Sequence, residues 1–294
     1  MNNRKNSRQL AIGYHILKRL IQDDALLNRT LTKDNIHELM DAKKFYERYF
    51  VGNRFIEHFP MVFKLIERET QAAFKRMSKR LVMVHRYDEK YPASLWQDFR
   101  EDAPVFIYVS GTLDPLDRYE NRIALFTTAN SSDTYINECN SLINQFKGQS
   151  ITVIQQFVSL MDNLLFLQLQ KLNIPTMVLF RGPITKDLEA AIKKFNPRFK
   201  RGRKGLNIIS VTGPFNDPLE DSYHLKLMNS LSKLTILLSD VASDAKNSEI
   251  QNNLAWKKPC LLPLLNAKAF PSSDLLYTLE SKDDFMKKVL ELTH

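Results

Sequence analysis

The sequence contains little glycine: there are eight glycines among 294 residues, where about 7% is usual. None of them forms a G-x-G-x-x-G or Walker A pattern. A phosphate-binding loop needs glycine because its backbone must approach the anion closely and adopt positive φ. The turns after the apolar runs Ile123–Thr127 and Ile151–Ile154 contain no glycine, which argues against tight dinucleotide binding there.

Cysteine and long apolar runs are also scarce. Cys139 and Cys260 lie far apart and form no C-x-x-C pattern. We therefore expect neither a disulfide framework nor a zinc ribbon. The same cysteine usage suits a reducing compartment, and we expect the protein to be cytoplasmic. No apolar run approaches the ~18 residues of a membrane span. The first ten residues are polar and basic, with no apolar run behind them, so the sequence predicts no signal peptide and no membrane partner.

Patterns typical of catalysis are missing as well. The six histidines show no metal-ligand spacing, and no G-x-S-x-G motif is present. Asp162 follows a predicted strand, where a catalytic carboxylate could lie. An acidic residue at that point also suits the start of a helix, and we favour that role. The sequence therefore predicts no catalytic residue, no metal site and no cofactor.

Positive charge is concentrated in two parts of the chain, whose net charge is +9. Residues 1–80 carry 17 Lys and Arg against 9 Asp and Glu, and residues 193–205 carry seven basic residues and no acidic one. The remaining segments are mildly acidic. Concentrated basic segments suggest a polyanionic partner, although a merely solubilising surface is the alternative.

The first 80 residues have helical periodicity, with Leu10, Tyr14, Leu17 and Ile21 on one face. A second helix is predicted after residue 31. Its start is marked by Thr32 as the N-cap, Asp34 in the first turn, and Leu31 and Ile36 as a hydrophobic staple. Pro60 is predicted to end a helix near Phe59.

From residue 81 short apolar runs alternate with amphipathic stretches. The runs predicted to be strands are Leu81–Val84, Val105–Val109, Ile123–Thr127, Ile151–Ile154, Thr176–Phe180, Leu206–Val211, Leu234–Leu238 and Cys260–Leu264. The predicted helices are 133–146, 161–172, 185–195, 247–256 and 282–292. This alternation predicts an α/β protein with a Rossmann-like, doubly wound and mostly parallel sheet. We expect a basic helical domain over 1–80 and the Rossmann-like domain over 81–294.

The strongest local signal is the basic segment from Lys193 to Gly205, K-K-F-N-P-R-F-K-R-G-R-K-G. Lys and Arg form charge-assisted contacts with phosphate, and aromatic residues such as Phe195 or Phe199 can stack on unpaired bases. The residues expected to bind phosphates are Lys194, Arg198, Lys200, Arg201, Arg203 and Lys204. A second charged face is expected from Lys75, Arg76, Lys79 and Arg80. The alternative is an exposed loop whose phenylalanines pack inward.

Three motifs resemble the signature of the DNA-processing-protein-A (DprA/Smf) family. They are Y-P-A-S-L at 91–95, A-P-V-F-I-Y-V-S-G at 103–111, and I-A-L at 123–125. Further along, Ile151–Asp162, Leu206–Pro214 and His224–Ser232 resemble later family motifs, with Lys226 where the family has an arginine. The likeness covers roughly residues 80–265.

The resemblance implies a Rossmann-like fold, binding of single-stranded DNA, dimerisation, and transfer of the strand to a RecA-type recombinase in transformation or recombination. Members of the family are not established enzymes. The chain departs from the family where a Gly-Ser-Arg turn has become Thr127-Thr128-Ala129, and where an Arg-Gly-Ile-Asp turn has become Ser159-Leu160-Met161-Asp162. These turns line a positively charged pocket in the family.

The sequence therefore predicts a non-enzymatic protein that binds single-stranded DNA, with a homodimer as a candidate assembly. Two alternatives stay open. One is a non-catalytic Rossmann-like scaffold that binds a protein partner, which the missing glycines favour. The other is a nucleotide-processing enzyme, although the P-G-G-x-G-T-x-x-E motif of such relatives is absent.

Overall fold

The computed structural model describes residues 2–50, 59–113, 116, 118–127, 132–195, 206–215, 219–238, 253–263, 273–279 and 281–293. The helices are α1 (Asn2–Ile21), α2 (Asp24–Thr30), α3 (Ala42–Tyr49), α4 (Phe59–Arg76), α5 (Ala93–Phe99), α6 (Asp133–Asn144), α7 (Leu160–Lys171), α8 (Lys186–Phe195), α9 (Asp221–Leu231) and α10 (Phe285–Thr293). The strands are β1 (Val82–His85), β2 (Phe106–Ser110), β3 (Arg122–Thr127), β4 (Thr152–Gln155), β5 (Thr176–Leu179), β6 (Leu206–Ser210), β7 (Leu234–Leu238), β8 (Cys260–Leu262) and β9 (Leu276–Thr278).

The strands form one sheet in the order β1-β2-β6-β5-β4-β3-β7-β8-β9. β1 runs antiparallel to β2, with Val82 opposite Val109 and His85 opposite Phe106. The pairings of β3 with β4 and β7, of β4 with β5, and of β8 with β7 and β9 are parallel. The prediction of a Rossmann-like α/β protein with a mostly parallel sheet is therefore confirmed.

All eight predicted strands are present, because each is a short run rich in apolar residues, of the kind that a sheet covered on both faces requires. Every residue of β2 and β7 is buried. The ninth strand, β9, was not predicted, and its three residues are only half-buried. The predicted helices at 133–146, 161–172, 185–195 and 282–292 correspond to α6, α7, α8 and α10. Most of the predicted helix at 247–256 lies outside the described residues.

The described chain forms two compact units. Unit 1 comprises residues 1–111, 181–200 and 209–218, and unit 2 comprises residues 112–180, 201–208 and 219–294. In unit 1 the helices of the N-terminal part lie together with β1 and β2, and α1 packs on both α4 and β1. The division into a helical domain over 1–80 and a Rossmann-like domain over 81–294 stays a prediction.

Helix α1 is the centre of unit 1. Of its predicted apolar face, Leu10 and Leu17 are buried, whereas Tyr14 and Ile21 are half-buried. At Gly13 the helix approaches the 3-10 helix Ile36–Asp41 so closely that a Cβ atom would overlap the backbone carbonyl of Leu39. Glycine is unfavourable inside a helix, and this close approach explains why it stands there.

Two local predictions need correction. Pro60 does not end a helix, because α4 begins at Phe59 and the proline occupies its first turn. In that turn the missing N–H has no helical carbonyl to bind, so proline is well tolerated. Thr32 does accept a hydrogen bond from Asn35 N at 3.3 Å, but the element that follows is a 3-10 helix beginning at Ile36, with Asn35 at its N-cap position.

Unit 2 has its own apolar core between the sheet and the helices α6, α7 and α10. Residues of β3, β4, β7 and β8 contribute, together with Phe146, Phe285 and Val289. Cys139 and Cys260 are both buried and form no disulfide bond with each other. None of the described helices is both long and apolar enough to cross a membrane.

His15 of α1 is buried in unit 1. Its Nε2 atom lies 2.6 Å from Tyr108 Oη, and its ring contacts Phe74 at a centroid distance of 5.7 Å. Burial, together with the nearby positive charge of Lys18, lowers the pKa of His15 to about 3. The histidine is therefore neutral in the folded protein at physiological pH.

This burial predicts an acid-dependent loss of stability. In the unfolded chain His15 takes up a proton as the pH falls below its ordinary pKa of about 6.5, while in the folded chain it stays neutral until about pH 3. The free energy of unfolding should therefore fall by ~1.4 kcal/mol per pH unit below that value, or ~2 kcal/mol at about pH 5. Urea unfolding at about pH 7 and pH 5 measures this, and His15→Gln, which keeps a hydrogen-bonding partner for Tyr108, should reduce the difference. An equal difference in both proteins would contradict it.

Candidate nucleic-acid interface

Four predicted phosphate-binding residues, Lys75, Arg76, Lys79 and Arg80, form what we name the α4-end cluster. All four are exposed, the first two in the last turn of α4 and the other two just beyond it. Between them the backbone is held at two points: Met77 forms an isolated antiparallel bridge with Thr185, and Ser78 N donates to Ile184 O at 3.1 Å. The cluster is therefore presented from a fixed segment of backbone.

Arg8 of α1 holds the end of α4 from the other side. Its guanidinium donates to Phe74 O and, at 3.4 Å, to Ser78 O, and it lies 5.7 Å from the Phe74 ring centroid. Burial lowers the pKa of Arg8. A cation at a helix C-terminus is favoured by the helix dipole. Because Arg8 fills this role, the side chains of the α4-end cluster are left for other contacts.

The charges of the α4-end cluster are not neutralised within the described part of the chain. None of the four side chains forms an ion pair or a hydrogen bond with a described residue. Other basic residues of the first 50 do form ion pairs: Lys18 with Asp24, Arg19 with Glu69, Lys43 with Glu47, Lys44 with Asp41, and Arg48 with Glu38. Unneutralised cations close together produce a positive local potential that attracts anions.

The second predicted basic segment begins in the last turn of α8, a helix of unit 1. Helix α8 begins at Lys186, directly after Thr185, and is anchored in the unit by a 2.6 Å hydrogen bond from Ser110 Oγ to Glu189 Oε1. Its ten residues span ~15 Å. Lys194 lies in its last turn. The other predicted contacts lie outside the described residues: Arg198, Phe199, Lys200, Arg201, Arg203 and Lys204.

Lys226 belongs to unit 2. It lies on α9, a helix that periodicity did not predict, and its side chain is half-buried. Its neighbours His224, Leu225 and Leu227 are buried. The structure thus places this lysine and the α4-end cluster in different units, and Lys226 stays a predicted contact.

The turn before α7 leads into a helix N-terminus, where backbone N–H groups can bind an anion. Here a capping box fills it: Ser159 Oγ accepts from Asp162 N at 3.0 Å, and Asp162 Oδ2 accepts from Ser159 N at 2.9 Å. Asp162 Oδ2 also accepts from Val158 N at 3.1 Å, and its Oδ1 accepts from Thr127 Oγ1 at 2.9 Å. The carboxylate of Asp162 therefore has the helix-start role predicted for it and is not presented to a substrate.

Arg86, just before the Y-P-A-S-L motif, and Tyr91 within it have structural contacts in unit 1. Arg86 is buried and donates to the carbonyl oxygens of Asn28 at 2.5 Å, Leu31 at 3.1 Å and Glu101 at 3.2 Å. The hydroxyl of Tyr91 donates to Pro104 O at 2.7 Å, which joins the Y-P-A-S-L segment to the strand after it. Both residues therefore have a structural role within unit 1.

No metal site is visible in the described ranges, where no group of three or more His, Cys, Asp or Glu side chains comes together. His224 is buried on α9. For His85, burial lowers the pKa and the neighbouring Asp88 acts in the opposite direction. The α4-end cluster is thus the feature that most suits binding, and Arg8 is the residue that sequence reasoning missed.

Comparison with known proteins finds solved structures with a similar fold. No protein-family model matches the chain, and no curated protein matches it in sequence. Among solved structures, DNA processing protein A (DprA) from Streptococcus pneumoniae is similar with a TM-score of 0.54 and 12% identity, over 97% of this chain and 96% of that one. DprA from Helicobacter pylori, described for its single-stranded DNA binding mode, is similar with a TM-score of 0.54 and 14% identity, over 73% of this chain and 98% of that one. In its fold, this chain is therefore similar to DprA proteins.

Proposed function

We propose that this chain is a DprA-like nucleic-acid-binding protein that binds single-stranded DNA through the basic surface of unit 1. The observation that carries the proposal is the α4-end cluster, whose four exposed cations have no counter-charge among the described residues. The fold shared with DprA proteins, one of them described as binding single-stranded DNA, adds support. Further predicted contacts, each to be tested by itself, are Lys194, Arg198, Phe199, Lys200, Arg201, Arg203, Lys204 and Lys226.

The proposed contacts are with phosphates and carry no sequence information by themselves. Lysine and arginine neutralise the backbone and release counterions, so affinity depends steeply on salt. Phe199 would stack on unpaired bases, which favours a single strand over a duplex. We further propose a cytoplasmic role in DNA processing or recombination, with a RecA-type recombinase as partner and a homodimer as the assembly.

Fluorescence anisotropy with a labelled strand of ~30 nucleotides and the matching duplex tests the proposal. We expect tighter binding to the single strand, and a log–log slope against salt of about −0.7 for each phosphate neutralised on the single strand. With four or more contacts, affinity should fall at least ~50-fold between about 50 and 200 mM salt. Equal affinity at both salt concentrations, or no binding at the lower one, would refute it.

The basic segment after α8 has its own test. Changing Lys200, Arg201, Arg203 and Lys204 to alanine should weaken binding of the single strand about 10²-fold or more at about 0.1 M salt, because up to four phosphate contacts are lost. Thermal unfolding of the variant should match that of the parent. Unchanged affinity would remove this segment from the proposed surface and leave the α4-end cluster as the binding site.

A second candidate is a non-catalytic scaffold that binds a protein partner. The capping box before α7 favours it, because Asp162 fills a helix N-terminus where an anion could otherwise bind. The two candidates differ in one observation: a partner of the scaffold remains bound after nuclease treatment, whereas a complex bridged by nucleic acid dissociates. Failure of the anisotropy test together with a nuclease-resistant partner would favour the scaffold.

A further inference from the structure

The first half of α4 exposes apolar side chains that the proposed DNA contacts do not use. Met61, Val62 and Leu65 have exposed fractions of 74%, 37% and 57%. Single exposed apolar residues are ordinary on protein surfaces. Here three of them lie within five residues of one helix, and Met61 and Leu65, four residues apart, are adjacent on its outer face.

Cations accompany these apolar side chains. Lys64 and Arg68 are exposed on the same side of α4. Positions 61, 65 and 68 have the i, i+4, i+7 spacing of one helical face. Position 64 is three residues after 61 and four before 68, so it borders the same face. Neither Lys64 nor Arg68 forms an ion pair or hydrogen bond with any residue that the structure describes. Of the two nearby acidic residues, Glu69 is paired with Arg19 at 2.5 Å, and Glu67 accepts a hydrogen bond from Gln71 Nε2 at 3.5 Å. The face therefore combines exposed apolar surface with two cations that form no ion pair with a described residue.

We propose that this face, Met61 to Arg68 of α4, docks an acidic amphipathic segment of a protein partner. Leucine-type side chains of such a segment would cover Met61 and Leu65, and its carboxylates would pair with Lys64 and Arg68. Recognition of an amphipathic helix along a surface uses this combination of apolar anchors and flanking charge. The charge complementarity identifies the partner as acidic.

Other occupants fit less well. A second copy of the chain, docked face to face, would bring Lys64 and Arg68 near the same cations. A membrane surface is usually bound by helices with a wide apolar face and aromatic residues, whereas this face has three aliphatic side chains. Nucleic acid would match the charge and would leave Met61 and Leu65 without apolar partners.

The docking face is separate from the α4-end cluster. Arg68 and Lys75, the nearest charged residues of the two, are seven residues apart on one helix, which corresponds to ~10 Å along its axis. The apolar residues Met61 and Leu65 lie farther away, and changing them to serine leaves every charge of the cluster in place. The docking proposal does not rest on DNA binding, and each can fail while the other holds.

The test uses the full chain and a fluorescein-labelled helical peptide of about 20 residues, with leucines along one face and glutamates beside them. We expect binding by anisotropy that the double variant Met61→Ser, Leu65→Ser weakens about 10-fold, and that Lys64→Glu, Arg68→Glu weakens by about 10-fold or more. A matched control changes Val158 and Leu160, two other exposed apolar residues, to serine and should bind as the parent does. The first variant should keep its affinity for the DNA strand.

Several results would overturn the proposal. One is equal binding of a peptide in which lysines replace the glutamates. Another is undiminished binding by the Met61→Ser, Leu65→Ser variant, with thermal unfolding unchanged. Absence of binding at ~1 mM peptide would also overturn it. A dissociation constant of that size corresponds to a binding free energy of about −4 kcal/mol. Association with vesicles of phosphatidylcholine and phosphatidylserine that those two serines abolish, without peptide binding, would reassign the face to a membrane surface.

Discussion

Replacing Lys75, Arg76, Lys79 and Arg80 by alanine is expected to weaken binding of a ~30-nucleotide single strand by about 10²–10³-fold at about 0.1 M salt. Each phosphate contact contributes about 0.7 to the slope of log affinity against log salt on a single strand. Losing four contacts should therefore reduce the magnitude of that slope by about 2.8. Anisotropy titrations of parent and variant across a range of salt concentrations measure both quantities.

A control with the same change in net charge separates contact from bulk electrostatics. Lys43, Lys44, Arg48 and Lys282 each form an ion pair with an acidic residue. Their replacement by alanine also removes four positive charges, but these charges are already neutralised. We expect the control to bind within a few-fold of the parent, because surface ion pairs contribute little. Equal losses in both variants would mean that net charge alone drives binding and that the α4-end cluster is not a site.

Gly213→Ala should destabilise the protein by about 3 kcal/mol, because an overpacked core and a lost buried hydrogen bond each cost ~1–3 kcal/mol. Gly213 follows β6, and a Cβ atom there would overlap the imidazole of His15. The ring has little room to move, since it contacts Phe74 and its Nε2 atom is 2.6 Å from Tyr108 Oη. Urea unfolding of parent and variant measures the change in the free energy of unfolding.

A double-mutant cycle tests whether that contact is the cause. His15→Ala removes the ring and destabilises the protein by creating a cavity and leaving Tyr108 without its partner. In the His15→Ala protein, Gly213→Ala should cost little, because the added methyl group now enters vacant space. The coupling energy should then be ~2–3 kcal/mol. Additive effects of the two substitutions would show that Gly213 is needed for another reason.

Much of the fold could be predicted from the sequence, because a strand buried on both faces is apolar at most positions. Val105–Val109 and Leu234–Leu238 are such runs, with Thr235 the one polar residue, and both are strands. Strand β9 escaped prediction for the opposite reason: Leu276, Tyr277 and Thr278 are half-buried at the edge of the sheet, and their sequence carries little signal. Pro60 was misread because proline suits the first turn of a helix as well as the end of one.

The candidate site was less predictable than the fold. Charge counting found Lys75, Arg76, Lys79 and Arg80, since four basic residues in six positions are visible in any sequence. It could not find Arg8, whose contacts with Phe74 and Ser78 join residues 66 and 70 positions apart. Nor could it tell neutralised cations such as Lys43 from the cluster, because ion pairs depend on which acidic side chains the fold brings near.

The capping box before α7 also bears on how the chain could be redesigned. Asp162 behaves as an anion that is tethered to its own binding site, and a tethered ligand has a high effective concentration. A free phosphate would have to compete with it for Val158 N and Ser159 N. Putting glycines back into the turn would therefore not create a nucleotide pocket. Such a design must first replace Asp162, and with it the bond to Thr127 that ties α7 to β3.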